Sequence, residues 1–181
     1  MLRWLHRLAL GGRLRVVYAD ESAFKGEPNV PYGWIPVGKQ RALRSAKQGN
    51  LNVFGLLDLN GDLTSYVTEG SIDSQRMVAW LDDYAGGLEG RTVVILDNAS
   101  YHTSAMTKAR IKAWRAAGLY LYFLPTYCPH LNLIETLWRK MKHEWLRPKD
   151  YRSKAALHKR VKKLLQKYGN GIYDIDFELT I

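Results

Sequence analysis

Thr92-Val93-Val94-Ile95-Leu96 is an apolar, β-branched run that ends on Asp97. It shows none of the apolar–polar alternation of a half-exposed strand. A run of that kind belongs to a central strand buried on both faces. The rest of the chain must therefore supply a sheet around it and helices above and below. Arg13 to Asp20 is a second such run, also closed by an acid, and Leu119 to Leu124 is a third, closed by Pro125. Leu51 to Leu59 and Leu63 to Thr68 flank Asn60-Gly61, the pattern of a two-residue type I′ hairpin. Helical spacing marks Ser74 to Tyr84, Thr103 to Ala117, Leu131 to Leu146 and Ser153 to Tyr168. Gly86, Gly118, Pro148 and Gly169 punctuate them. Gly26 to Gly49 reads as a long excursion with a hairpin around Gly33-Trp34-Ile35-Pro36. The order predicts an α/β fold, a mixed five-stranded sheet with helices on both faces.

Charge narrows the class of partner. The chain has 181 residues and a formal net charge of +10. Twelve basic residues fall between Arg139 and Lys167, opposed only by Glu144 and Asp150, so this stretch alone accounts for the whole net charge. Lys39, Arg41, Arg44 and Lys47 form a second, acid-free cluster. Concentrated positive charge points to polyanions, nucleic acid or an anionic membrane. Isolated charge runs are commonly solvated helix faces, so the clusters need chemistry beside them before they mean more. The single cysteine, Cys128, excludes an intrachain disulfide. No apolar run approaches a membrane span, and the first twelve residues lack a signal-peptide cleavage pattern. A zinc site from Cys128, His130 and His143 fits known ligand spacings poorly.

Three carboxylates stand where chemistry would be expected. Asp20 and Asp97 close two strands. If these strands are parallel neighbours, both acids meet at one edge of the sheet, where open α/β sheets bind ligands. Glu135 sits in the first turn of the helix that follows the last strand. Each acid also has an ordinary reading: a turn at Asp20, an Asx turn at Asp97, an i,i+4 pair of Glu135 with Arg139. Brought together, they would repel one another unless hard cations with oxygen ligands joined them, Mg²⁺ or Mn²⁺ rather than zinc. Two such ions serve phosphodiester chemistry by activating the nucleophile and stabilising the leaving oxygen.

Four local words occur in order: Tyr18-Ala19-Asp20-Glu21-Ser22-Ala23-Phe24, Gly33-Trp34-Ile35-Pro36-Val37-Gly38, Leu96-Asp97-Asn98-Ala99-Ser100-Tyr101-His102, and Leu124 to Trp138 with Asn132-Leu133-Ile134-Glu135 inside it. Over about Val16 to Lys142 the chain resembles the catalytic domain of a mariner-superfamily DDE transposase, in the branch carried by bacterial insertion sequences. The resemblance implies a ribonuclease H-like fold. It implies Asp20, Asp97 and Glu135 as catalytic and metal-binding residues holding two Mg²⁺ or Mn²⁺ ions. The implied reaction is cleavage of DNA at transposon ends, then attack of the freed 3′ hydroxyl on target DNA, usually at a TA step. It also implies a homodimer in a synaptic complex and a cytoplasmic, nucleoid-associated place of action. Asn98 and His102 correspond to motif positions beside the second acid, suited to orienting a phosphate, a water or the carboxylate. A plain helix-start hydrogen bond is the alternative for His102.

Two words depart from the family pattern. Pro-Thr-Tyr-Cys-Pro at 125–129 replaces the common Pro-Pro-Tyr-Ser-Pro, and Leu133 replaces a proline. The residues ahead of the first strand are too few for the helix-turn-helix region that family members carry. The expected division is residues 1–13 as an N-terminal stub, 14–148 as the catalytic domain, and 149–181 as a basic C-terminal helix with an acidic tail. Lys39, Arg41, Arg44, Lys47, Arg139, Lys142, Lys159, Arg160, Lys162 and Lys163 are the expected DNA contacts. The competing readings are a non-catalytic DNA-binding or dimerising fragment, and another nuclease of the same fold.

Overall fold

The computed structural model describes residues 1–27, 36–38, 49–125, 128, 131–171 and 173–175. Lys39, Arg41, Arg44 and Lys47 lie outside the described residues, as does most of the hairpin expected at Gly33 to Pro36. Five strands make one sheet in the order β3-β2-β1-β4-β5. They are β1 (Arg15–Phe24), β2 (Leu51–Asp58), β3 (Leu63–Thr68), β4 (Thr92–Leu96) and β5 (Leu119–Phe123). β1, β2 and β3 are antiparallel neighbours, whereas β4 is parallel to both β1 and β5. All five residues of β4 are buried, as its unbroken apolar run requires.

Helices cover both faces, because strand alternation sends apolar side chains to both. On one face Val16, Tyr18, Val53, Leu57, Val93 and Ile95 pack in one cluster with three helices. These are α1 (Leu2–Leu10), α4 (Ile134–Lys140) and α5 (Lys154–Lys167). On the other face Val17, Ala19, Phe54, Leu56, Val94 and Leu96 meet α2 (Ser74–Gly86) and α3 (Ala105–Ala116). Asp73, Ser104 and Ser153 cap α2, α3 and α5 by accepting from the backbone N–H groups of Arg76, Thr107 and Ala156. The basic helix α5 is amphipathic: Leu157, Val161 and Leu164 are fully buried while Lys159, Lys162 and Lys163 face solvent.

Three local expectations are corrected. The β2–β3 connection is not a two-residue type I′ turn. Asp58 N–H donates to the Asp62 carbonyl and Gly61 N–H to the Asp58 carbonyl, which closes a three-residue loop with Gly61 at φ +88°. The Asp58 carboxylate selects this loop by accepting from Asn60 and Asp62 N–H at 2.9 Å each. The strand expected to stop at Asp20 continues to Phe24, because β2 pairs with it through Phe24↔Leu51. The helix expected over Leu131 to Leu146 is α-helical only from Ile134 to Lys140 and then widens into a π-helical turn, Met141–Trp145.

Candidate active site

The β1–β4 register decides where the first two acids stand. Tyr18 pairs with Ile95 in parallel, so two residues further on Asp20 and Asp97 reach the same level of the sheet. Pleating puts Asp20 on the face of Val16 and Tyr18, which α4 covers. Opposite Asp20 on β2 is Gly55. A Cβ there would lie 2.7 Å from Ile134 Cδ1 and 2.8 Å from Trp138, so the glycine lets α4 sit down on the strand beside Asp20. Asn132, 3% exposed, fastens the entry to α4: its side-chain amide donates to the Ala19 carbonyl at 3.1 Å. Its own carbonyl accepts from Glu135 N–H. Glu135 thereby projects from the first turn of α4, exposed, above Asp20.

The electrostatics report this grouping. The Asp20 carboxyl is pushed up to about 8, first by burial and then by the negative charges of Glu21, Glu135 and Asp97. Asp97 goes the other way, held below the usual carboxylate range chiefly by its hydrogen bond with His102. Its Oδ1 accepts from Ala99 N–H at 3.0 Å, the Asx turn expected from sequence, and lies 2.7 Å from His102 Nδ1. His102 is fully buried, and its Nε2 lies 2.9 Å from Glu21 Oε1. Burial alone would lower the imidazole pKa. The hydrogen bonds and charges of Asp97 and Glu21 outweigh it and raise the value to about 9. Tyr101 O–H donates to Glu21 Oε2 at 2.8 Å.

Of the three tasks open to His102, the structure assigns contact with the carboxylate. Asn98 does something else: its side-chain amide donates to the Leu124 carbonyl at 2.7 Å and ties the Asp97 loop to the end of β5. Glu135 and Arg139 form no ion pair with each other. Lys142 is the cation facing the acids instead. Its ammonium stands 5.6 Å from the Phe24 ring centre, and burial lowers its pKa against the opposing pull of Glu135 and Asp20. Arg139 is exposed on α4, and Lys162 is exposed on α5. Lys159, Arg160 and Lys163 line a cleft of about 410 Å³ with Arg147, Lys149 and Asp150.

The sequence alone left Glu21 without an assigned role, a neighbour of the acids or a plain surface acid, and gave none to Tyr101. The signal was present: Glu21 follows Asp20, so in a strand that continues it must point to the opposite face, where Tyr101 and His102 lie. Ending the strand at Asp20 concealed it.

Among the described residues Asp20 and Glu135 make no ion pair, and an oxygen-donor set of this kind suits Mg²⁺ or Mn²⁺; the Asp20 carboxyl is raised first by burial and then by the neighbouring carboxylates. Among the described residues no three His, Cys, Asp or Glu side chains already form a coordination cage. The zinc alternative gains nothing: Cys128 is half-buried, His143 is exposed, and His130 is outside the described residues.

The family model for the DDE superfamily endonuclease matches residues 15–158. The chain belongs to this family. The DDE domain shares its ribonuclease H-like fold with solved Mos1 transposases. The Mos1 transposase paired-end complex with left transposon end aligns at a TM-score of 0.64 and 15% identity, covering 95% of this chain and 54% of that one. The Mos1 mariner paired-end complex with Mn aligns at 0.64 and 14%, with the same coverage of 95% and 54%. The catalytic domain of Mos1 mariner transposase aligns at 0.63 and 15%, covering 95% of this chain and 80% of that one. The chain thus spans about half the length of the Mos1 chains in those complexes. No curated protein sequence matches it. The Leu133 departure has a simple account: Leu133 holds φ −59°, the value a proline ring would impose, without needing the ring.

Proposed function

We propose that this DDE domain is the catalytic part of a mariner-superfamily transposase of the bacterial insertion-sequence branch. It cuts DNA at transposon ends and joins the freed 3′ hydroxyl to target DNA, with TA-containing sites favoured. The observation that carries this reading is the parallel register of β1 and β4, which sets Asp20 level with Asp97 at one end of the sheet, with Glu135 in the first turn of the helix packed beside them. Asp20, Asp97 and Glu135 would hold two Mg²⁺ or Mn²⁺ ions. Bound there, the ions supply an activated nucleophile and stabilise the leaving oxygen. The chain's own residues do the rest. Asn132 and Gly55 set the height of Glu135, and Ala99 N–H and His102 fix one oxygen of Asp97. Lys142 meets a phosphate entering between Phe24 and the acids.

Arg139, Lys159, Arg160, Lys162 and Lys163 grip the DNA backbone without reading sequence, as do Lys39, Arg41, Arg44 and Lys47. Residues 14–148 carry the chemistry, with 1–13 as a stub and 149–181 as a DNA-gripping extension whose helix α5 packs on the same core. The working assembly is a homodimer on paired ends, acting at the nucleoid in the cytoplasm. Among the described residues no helix is long and apolar enough to cross a membrane.

The test is nicking of a DNA duplex carrying a transposon end, with Mg²⁺ or Mn²⁺, for the native chain and Asp97→Asn. Divalent-dependent nicking that disappears in the folded variant is expected. DNA binding without nicking, indifferent to metal and to Asp97→Asn, would instead mark a binding-only fragment. Preference for branched DNA or RNA–DNA hybrids would mark a different nuclease of this fold.

A further inference from the structure

Asp97 does not stand free at its strand end. Its Oδ1 takes both the Ala99 N–H bond and the His102 bond, while Oδ2 makes no hydrogen bond among the described residues. His102 is fully buried with each ring nitrogen against a carboxylate oxygen, Asp97 on one side and Glu21 on the other. Glu21 is 13% exposed in its side chain and is held in turn by Tyr101 O–H. The Tyr101 ring packs edge-on against the imidazole, with centroids 4.5 Å apart. The Tyr101 carbonyl is pinned by the hydroxyl of Thr107, itself fully buried, at 2.9 Å. The chain of contacts therefore runs from the rigid start of α3 to one oxygen of an acid at the sheet edge.

We propose that Glu21 and Tyr101 are positioning residues for the metal site: they lock the His102 ring, which engages Asp97 Oδ1 and presents Oδ2 to the cation. The inference rests on Asp97 being a metal ligand, as read above. Its physical basis is that a ligand carboxylate left to rotate loses entropy on binding, whereas one already oriented by outer hydrogen bonds does not. Alternation along β1 makes the device economical. Asp20 serves the α4 face while its neighbour Glu21 serves the opposite face and reaches the second acid through His102.

The experiment is Mn²⁺ titration of the full chain, followed by the electron paramagnetic resonance signal of free Mn²⁺, with thermal unfolding of each variant as a folding control. Glu21→Ala is expected to weaken Mn²⁺ binding by about 10- to 100-fold. Glu21→Gln is expected to recover part of that loss, because its amide oxygen still accepts from His102 Nε2. Tyr101→Phe removes only the hydroxyl and is expected to weaken binding by a factor of several. A purely structural role would lower the melting temperature and leave the affinity of the folded protein untouched. If Glu21→Ala does not fold, the Gln and Phe variants carry the test. Folded Glu21 and Tyr101 variants that bind Mn²⁺ like the native chain, while Asp97→Asn does not, overturn this inference alone. Asp97→Asn binding as tightly as the native chain overturns the metal-ligand reading, and this inference with it.

Discussion

Two acids on neighbouring strands, Asp58 and Asp20, meet opposite fates at opposite edges of one sheet. Asp58 ends β2 at the far edge and is 3% exposed. Arg15 stands 2.6 Å from its Oδ2, and two backbone N–H groups of the hairpin loop donate to its Oδ1. Every lone pair that matters is used to close the turn. Asp20 sits mid-strand near the other edge, half-buried, with no ion-paired cation among the described residues and with Glu21, Glu135 and Asp97 around it. The first edge is compensated and builds the fold. The second is left short of positive charge, and that deficit is what a divalent cation or a phosphate-bound ion would relieve. Burial of an acid is thus no guide to its role; the guide is whether its charge is balanced.

The contrast can be broken at several points. The largest effect is expected from Gly55→Val. The added side chain collides with Ile134 and Trp138, lifts α4 from β2 and displaces Glu135. Overpacking of this kind costs about 1–3 kcal/mol, and on the proposed role of Glu135 its displacement lowers cleavage on the order of 10²-fold. Thermal unfolding and the nicking rate should both fall. A folded variant with native nicking would show that α4 does not set the site.

Asp58→Asn attacks the compensated edge. Arg15 is 46% exposed in its side chain, so losing the pair should cost about 1–3 kcal/mol rather than the 3–5 of a fully buried one. Denaturant unfolding should register the loss while Mn²⁺ affinity stays put. A drop in affinity would mean the two edges are coupled.

Asp20→Asn should do the reverse. A carboxyl whose folded value is raised to about 8 binds its proton more tightly folded than unfolded. Its ionisation therefore subtracts stability progressively from about pH 4 to pH 8, and the full loss holds above pH 8. The metal-free Asn variant should melt higher than the native chain at pH 8 to 9 and similarly near pH 4. His102 contributes in the same direction. Its raised value gives stability that is full below about pH 6.5 and gone once the pH passes about 9. A native melting curve flat from pH 5 to 9 would contradict both.

The smallest effect is expected from the basic cleft. Lys159→Ala or Lys163→Ala should weaken DNA binding alike on all sequences. Each should reduce the salt slope of the affinity by about one. A sequence-dependent loss would mean the cleft reads bases.

Much of the fold was legible because it rests on local periodicity. The apolar run at 92–96 required a doubly covered strand, and the helical stripes supplied the covers. The three acids were legible because ordered motif words mark them and because Asp20 and Asp97 close or interrupt apolar runs. The hairpin was legible as a hairpin, but its turn type was not, since the side chain of Asp58 rather than the Asn-Gly pair chose the loop. The length of β1 was hidden for a related reason: Ser22 and Glu21 look like strand breakers until β2 is known to pair with them.

Residue identity and spacing alone therefore determined the order of the five strands and of α2 to α5, the basic C-terminal helix and the acids that face the sheet edge, but not the opening helix α1. Pairing register determined that Asp20 and Asp97 stand level, that Gly55 leaves room for α4, and that Glu21 reaches His102 eighty-one residues away. Those are contacts between segments distant in the chain. A pattern of side chains along one strand fixes which face each residue takes, but only the neighbouring strand fixes what it meets there.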